Sequence, residues 1–289
     1  MRAARANRAA HIWLPSAPLL LLYAGLLVTP LIMTVFLSFQ ESDRAGQVLA
    51  TFTLDNWREI LSDRYYLGIF ARTFRIALLV TGLAIALGAP EAYILSRMRP
   101  PWRSLLLLLV LTPLLISVIA RTLGWTLLFG PMGPLSNLPV WAGLSQQPVQ
   151  FLFTETGIVV ALTHVLTPFM VLSVWASLQQ LDPHLEDAAT SLGASRVTAF
   201  RRVVLPQILP GVLAGTIIVF ALAASAFATP AIIGGRRLKV ASLLVYDEFV
   251  HQMNWPLGAG LSILLLLSLG IATSAASRLV ERRNAWLGN

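Results

Sequence analysis

The sequence contains no cysteine, which excludes disulfide bonds, thiolate metal ligands and thiol nucleophiles. Charged residues are scarce as well: they make up 12% of the 289 residues, about half of the usual share in a soluble domain. The chain also lacks the G-x4-G-K-[ST] loop that binds ATP phosphates, the H-E-x-x-H zinc pattern and the G-x-S-x-G nucleophile pattern. We therefore expect neither an enzyme nor a cofactor or metal site in this chain.

What the chain has instead is apolar sequence. Hydrophobic residues make up 56% of it, and the mean hydropathy is +0.74. Six runs reach the ~20 apolar residues that a helix needs to cross a bilayer. They cover about residues 12–39, 72–96, 103–129, 156–181, 209–233 and 255–277. We predict an all-α membrane protein with six transmembrane helices within residues 12–280, flanked by short tails at 1–11 and 281–289.

Arginines orient the predicted spans. The clusters on one side are Arg2, Arg5 and Arg8; Arg97, Arg99 and Arg103; Arg196, Arg201 and Arg202; and Arg278, Arg282 and Arg283. The loop at 130–155 on the other side has no lysine or arginine, although Arg236, Arg237 and Lys239 oppose the trend. By the positive-inside rule both termini are cytoplasmic. Most of the arginines lie beside the predicted spans, so membrane topology explains the net charge of +8 and the charge does not indicate a nucleic-acid partner.

The first apolar run follows a basic segment, as in a signal peptide. It is far longer than the ~7–15 residues of a signal-peptide core, and no small-residue cleavage pattern closes it. We therefore predict that it is retained as the first transmembrane helix.

A polar, alanine-rich segment at 182–206 separates the fourth and fifth spans. Asp182-Pro183 is typical of a helix start, and Gly193 of a helix end that needs a positive φ. The apolar residues between them lie at helical spacing: Leu185, Ala188, Ala189 and Leu192. Ser195 can cap a second helix. The pattern predicts helix, glycine turn and helix, with two alanines that let a partner approach closely.

This segment resembles the cytoplasmic signature of permease subunits of binding-protein-dependent ABC importers, E-A-A-x3-G-x9-I-x-L-P. The matching residues are Asp187, Ala188, Ala189, Gly193, Val203, Leu205 and Pro206. Asp187 replaces Glu and Val203 replaces Ile. The segments 53–88, 112–125, 227–235 and 255–262 are similar to the spermidine/putrescine-type branch of that family.

The resemblance implies a type I ABC importer permease in a bacterial cytoplasmic (inner) membrane. It also implies three partners: a dimer of cytoplasmic ATPase subunits that binds ATP and Mg, a second permease that is related but different, and an extracytoplasmic solute-binding protein. In such importers the alanines contact the ATPase, the glycine permits the turn, and Leu205-Pro206 sets the exit into the fifth span. The solute expected from the branch is a polyamine or a similar small organic molecule.

Two other functions compete with this interpretation. A secondary transporter working without an ATPase is the main alternative, although the chain shows no second copy of the 182–206 segment. An intramembrane serine protease needs a serine activated by a base, and no such pattern is present.

Polar and helix-breaking residues inside the spans are candidates for the solute pathway or a gate. Arg121 either lines the pathway or locks two helices, or else reaches toward the outer surface. Glu91 either takes part in transport or reaches the inner headgroups. Ser225 adds a polar group to the fifth span. Phe227, Pro230, Gly234 and Gly235 indicate a break near its outer end, at a depth where irregular backbone is tolerated only beside protein or a water-filled cavity.

The topology is directly testable. Reporter fusions at Gln146 and at Thr198 are expected to report opposite sides of the membrane, because one site lies in the arginine-free loop and the other in the arginine-rich segment. Alkaline phosphatase and fluorescent-protein fusions measure this. A same-side result contradicts the six-span topology.

Overall fold

The computed structural model describes residues 2–43, 46–182 and 184–285, and these residues are mostly helical. The helices are α1 (Arg2–Leu37), α2 (Asp55–Ser62), α3 (Arg64–Arg97), α4 (Trp102–Leu115), α5 (Val118–Phe129), α6 (Pro134–Trp141), α7 (Glu155–Leu178), α8 (His184–Ser191), α9 (Arg196–Ala199), α10 (Leu205–Ala224), α11 (Ala241–Val250) and α12 (Trp255–Ala285). Two π-helical turns occur at Phe200–Val204 and Pro230–Gly234. Two strands, β1 (Gln40–Ser42) and β2 (Val48–Phe52), form an antiparallel hairpin.

Several of these helices are long and apolar enough to cross a membrane. Within the described ranges four qualify alone: Arg64–Arg97, Glu155–Leu178, Arg196–Ala224 and Trp255–Arg278. The bent pair Trp102–Leu115 and Val118–Trp141 is a fifth candidate, and Leu21–Leu37 is a shorter apolar helix. The predicted all-helical membrane architecture is confirmed, while the count of six spans stays a prediction.

The third predicted span, 103–129, is not one helix. It breaks at Ile116 and Ser117, which have extended backbone with ψ of 140° and 132°. The two helices of the bent pair lie at 99° to each other. Pro113 lies one turn before the break and lacks an N–H to donate, which weakens the last turn of α4.

The fifth predicted span, 209–233, is also corrected. α10 begins earlier, at Leu205, and ends at Ala224, before the π-turn that begins at Pro230. Side chains bind backbone carbonyls at the end of α10 and in the stretch that follows it. Ser225 Oγ donates to Ala221 O at 2.8 Å, and Ser242 Oγ donates to Ala226 O at 2.6 Å. Without such partners, an irregular segment in an apolar run would be costly.

The chain divides into two compact units, Met1–Arg64 with Val245–Leu264 and Tyr65–Leu244 with Leu265–Asn289. In the smaller unit the β-hairpin is held by stacked rings: Phe39 lies 5.4 Å from Phe52 and 5.9 Å from Trp57, between centroids. Asn56 Nδ2 donates to Gln40 O at 2.8 Å, and Ile60 is fully buried. The hairpin and α2 thus fold as one element of the loop after α1.

The larger unit has its core around α7. Met170 is fully buried, and glycines lie against it on two other helices, Gly88 of α3 and Gly215 of α10. One turn away, Gly211 lies against the backbone of α7 at Ser173. Small residues are what allow helices to approach closely in a membrane, where apolar burial gives little driving force. The α7–α10 contact therefore depends on small residues, most strictly at Gly211, where the neighbouring atom belongs to the backbone.

We predict that Gly211→Ala separates α7 from α10. An added Cβ would lie 2.5 Å from the carbonyl oxygen of Ser173, which is backbone and cannot rotate away, so we expect a cost of about 1–3 kcal/mol. Gly215→Ala is the matched control, because its Cβ would meet the flexible end of Met170, at Sδ. Unfolding temperatures in detergent measure the difference. Equal temperatures for the two variants contradict the packing described here.

Candidate functional site

We use the name coupling loop for residues 182–206, and its first part is the helix α8. The side chain of Asp182 caps the start, since its Oδ1 accepts from the backbone N–H of His184 at 2.9 Å. Pro183, the predicted first helical residue, lies outside the described residues. The predicted helix start at Asp182 is therefore confirmed by its hydrogen bond.

Gly193 ends α8 in the way that the sequence predicts. Its φ is +89°, a left-handed conformation that side chains with a Cβ rarely adopt. The N–H of Ala194 donates to Ala189 O at 3.1 Å, and the N–H of Gly193 donates to Thr190 O at 2.9 Å. This pair of bonds is the Schellman motif, which satisfies the last carbonyls of a helix.

The second part of the coupling loop continues directly into α10. Ser195 Oγ accepts from the N–H of Thr198 at 3.2 Å and caps α9. From Arg196 to Ala224 the chain is one continuous helical segment. Leu205 and Pro206 lie within this segment, at the start of α10, and their role in setting the exit into the fifth span stays a prediction.

The π-turn explains why Pro206 does not interrupt this helix. Proline in an α-helix lacks a donor and clashes with the carbonyl four residues earlier. Here the preceding turn is widened, and the N–H of Leu205 donates to Phe200 O, five residues back. The proline then lies in the first turn of α10, where the missing donor is tolerated.

Apolar side chains of the coupling loop are exposed. Leu192 is 90% exposed and Val197 is 66% exposed, and Leu185 and Ala188 are exposed as well. Ala189 is half-buried on the same stripe. Apolar groups clustered outside a core are typical of a surface that another protein covers.

A second face of α8, about 100° around the helix from Leu185, is anchored to the end of α3. Glu186 forms an ion pair with Arg97, and its side chain is only 15% exposed. Tyr93 Oη donates to the same carboxylate at 3.2 Å. The Tyr93 ring also contacts Phe200 edge-on at 5.0 Å, and the guanidinium carbon of Arg97 lies 5.3 Å from its centroid. Tyr93 thus joins α3 to both halves of the coupling loop.

Arg121 lies at the break between α4 and α5. Its Nη1 donates to Pro113 O, one of the last carbonyls of α4, which have no partner further along that helix. The guanidinium also sits at the negative end of the helix dipole. Its Nε is buried without a hydrogen-bond partner among the described residues. Arg121 of α5 thus links α5 to the end of α4, as in the helix-locking role that is one of the alternatives predicted for it.

The other candidate pathway residues fall on different surfaces. Arg121 and Phe227 line one cavity of about 260 Å³ together with Thr229, whose hydroxyl lies 3.3 Å from that of Thr122 on α5. Pro230 is buried and begins the second π-turn, and Ser225 is exposed. Glu91 lines a separate cavity that is described below. The structure therefore groups Arg121 with Phe227 and leaves Ser225 and Glu91 apart from them.

Comparison with known proteins gives a consistent result. A family profile described as "Binding-protein-dependent transport system inner membrane component" matches residues 79–286. The chain is 31% identical over 257 residues to the spermidine/putrescine transport system permease protein PotB of Escherichia coli strain K12, covering 88% of this chain and 93% of that protein. The chain belongs to this family of transport system inner membrane components.

Solved structures agree with the assignment at the level of the fold. A bacterial ABC transporter that imports the acidic polysaccharide alginate matches with a TM-score of 0.75 and 17% identity, over 98% of this chain and 99% of that one. The same kind of transporter in complex with an alginate-bound periplasmic protein matches with a TM-score of 0.75 over 96% of each chain. The chain is a membrane-spanning permease subunit with this fold, located in the inner membrane.

The sequence alone did not single out Tyr93, Arg97 and Glu186 as a group in this permease. In the sequence, Arg97 indicates only the topology, and Glu186 lies one residue before the signature that begins at Asp187. An acidic residue on the polar face of α8 was the available signal. Its partner could not be found, because Tyr93 lies 93 residues earlier in the chain.

We predict that Glu186→Gln loosens α8. Removing the charge weakens the bonds to Arg97 and Tyr93, and because Arg97 is 46% exposed we expect a loss of only about 1 kcal/mol. Amide hydrogen exchange in residues 184–194 should then be roughly fivefold faster. Asp187→Asn is the matched control, since that side chain is exposed and adjacent. Equal exchange in the two variants contradicts the anchoring role.

Proposed function

We propose that this permease couples ATP hydrolysis by a separate ATPase to solute import through its coupling loop. The observation that carries the proposal is the two-faced character of α8. One face presents exposed Leu185, Ala188 and Leu192, and the other is fastened to α3 through Glu186. A helix of this kind seats its apolar face in a groove on a partner.

The coupling loop also has a mechanical path into the membrane. A force on α8 reaches α3 through Glu186 and Tyr93, and it reaches α10 because the chain is continuously helical from Arg196 to Ala224. α10 in turn packs along α7 through Gly211 and Gly215. Movement of the docked loop is therefore expected to move α3, α7 and α10 together, which is what alternating access requires.

The proposed assembly follows from what this chain lacks and from the family to which it belongs. The sequence has no phosphate-binding loop, so ATP and Mg would bind to a dimer of cytoplasmic ATPase subunits. A second, related permease would complete the pathway, and an extracytoplasmic solute-binding protein would deliver the solute. The tails at 1–11 and 281–289 would both lie in the cytoplasm.

The outer part of the pathway is proposed at the break after α10. Phe227 and Arg121 line one cavity there, and Pro230 begins a π-turn in place of a regular helix. Ser225, with its exposed hydroxyl, ends α10 just before the break. An irregular segment of this kind can rearrange with fewer broken hydrogen bonds than a helix, so we propose it as a gate.

The proposed solute is a polyamine or a similar small organic cation. The proposal is supported by the name of the Escherichia coli relative, which is a spermidine/putrescine transport system permease, and by the length of the shared region.

We predict that Ala189→Asp leaves the permease folded but weakens ATPase docking, because it crowds the groove and buries a charge. Ser191→Asp adds the same charge at an exposed site about 160° around the helix, and serves as the matched control. Affinity purification from native membranes in mild detergent measures the co-purified ATPase. We expect ATPase with wild type and with Ser191→Asp, and a loss of about tenfold with Ala189→Asp.

A purified, folded wild-type chain without any ATPase contradicts the proposal and favours a secondary carrier. Equal ATPase recovery with Ala189→Asp and Ser191→Asp contradicts the docking surface while leaving the class of transporter in place.

A further inference from the structure

A second cavity in the larger unit lies among α3, α4, α5 and α7. Its volume is about 530 Å³, within the range of ~300–1,000 Å³ that is typical of small-ligand sites. Its walls are mostly leucine, valine and proline side chains, and its polar groups come from Glu91, Trp125, Thr163, His164 and Thr167. An apolar cavity with a few converging polar groups is the usual form of a ligand site.

Glu91 is the acidic group of this cavity. It lies on the same face of α3 as Leu83 and Leu87, and no hydrogen bond or ion pair to its carboxylate occurs among the described residues. The cation closest in sequence on its own helix, Arg97, is already paired with Glu186. A carboxylate within a membrane span is costly unless a partner or water stabilises it. Glu91 therefore has an unfilled capacity to bind a cation.

The remaining polar groups favour a cation as well. The hydroxyls of Thr163 and Thr167 donate to backbone oxygens of α7, each at 2.7 Å, so their free lone pairs can only accept. The Trp125 ring offers a π-system, to which ammonium groups are attracted. His164 packs edge-on against that ring at 5.4 Å between centroids.

One fixed positive charge lies near this group. Arg121 is carried by α5, as Trp125 is, and its guanidinium is bound to the carbonyl of Pro113 at the helix break. The cavity itself is lined by Pro113, and Arg121 is not among its lining residues. The carboxylate of Glu91 thus remains the charged group that a solute in the cavity would meet.

We propose that this cavity is a binding site for an alkylammonium cation during transport. Glu91 would be the counter-ion of one ammonium group, Trp125 and the threonine hydroxyls would contact the cation, and the apolar walls would hold its methylene chain. This inference rests on the proposed function and goes beyond it, because it assigns the solute to particular residues of this permease.

The absence of cysteine makes the site directly accessible to thiol chemistry. The variant Thr167→Cys places one thiol of this chain in the cavity, and Ser268→Cys on α12 is a control outside its lining. The complete transporter, with its ATPase, second permease and binding protein, is labelled in proteoliposomes with a trimethylammonium-ethyl methanethiosulfonate and with a neutral reagent of similar size. Labelling is read on this chain after separation on a gel.

We compare the ratio of the labelling rate with the cationic reagent to that with the neutral reagent. We expect this ratio to be about tenfold higher at Thr167→Cys than at Ser268→Cys, because a charged partner adds that much to a contact. Spermidine should slow the labelling of Thr167→Cys and leave Ser268→Cys unchanged. Adding Glu91→Gln should remove both effects, and Glu91→Asp should retain them. Labelling that is insensitive to spermidine in the native Glu91 background, as expected if a lipid chain fills the cavity, overturns the proposal.

Transport separates this inference from the proposed function. Wild-type proteoliposomes should import radiolabelled spermidine, and Glu91→Gln should lower that import about tenfold while ATP hydrolysis stimulated by the loaded binding protein is kept. Equal import by wild type and Glu91→Gln overturns the site and leaves the proposed function standing. Absence of spermidine import by wild type refutes the solute class and the site together. Loss of import and ATP hydrolysis together, in Glu91→Gln and Glu91→Asp alike, assigns Glu91 to packing and overturns the site.

Discussion

The constraint on which this structure depends is that backbone polar groups in a membrane need partners within the protein. Continuous helices satisfy it directly, and the two broken spans satisfy it with side chains. Arg121 binds the carbonyl of Pro113 where α4 ends, and Ser242 binds the carbonyl of Ala226 after α10. A π-turn precedes Pro206, where the N–H of Leu205 donates to Phe200 O, five residues back, so the backbone stays hydrogen-bonded up to the residue that lacks a donor. At these three points of the described residues, a specific side chain or turn supports the backbone where the regular helix is interrupted.

In the proposed function, the coupling loop lets a short polar segment act on long apolar helices. Its outward stripe is available to a partner, and its inward face is joined to α3 by Glu186 and Tyr93. A docked partner would not need to pull on the membrane helices one by one, because α8, α3 and α10 are already connected. ATP binding by such a partner would then act on the permease through a surface of a few residues.

Much of this site could be predicted from sequence because its information is local. The cap at Asp182, the turn at Gly193 and the alanine stripe follow from spacing within about ten residues, and the structure has all three. The sequence indicates the break after α10 through Phe227 and Pro230. It does not indicate the break at Ile116, since an apolar run gives no sign of where a helix will end. The anchor from Glu186 to Tyr93 and Arg97 depends on tertiary contacts across 93 and 89 residues, for which one sequence offers no signal.

The central claim is that α8 and α3 move as one body when the ATPase acts. Spin labels on cysteines introduced at Leu78 of α3 and Leu192 of α8, both exposed, allow the distance between these helices to be measured by electron–electron double resonance. In the complete transporter with native Glu186, we expect the same distance in the nucleotide-free and ATP-bound states. In the Glu186→Gln variant, we expect the distance to differ between these two states. A change between the two states with native Glu186 contradicts the account.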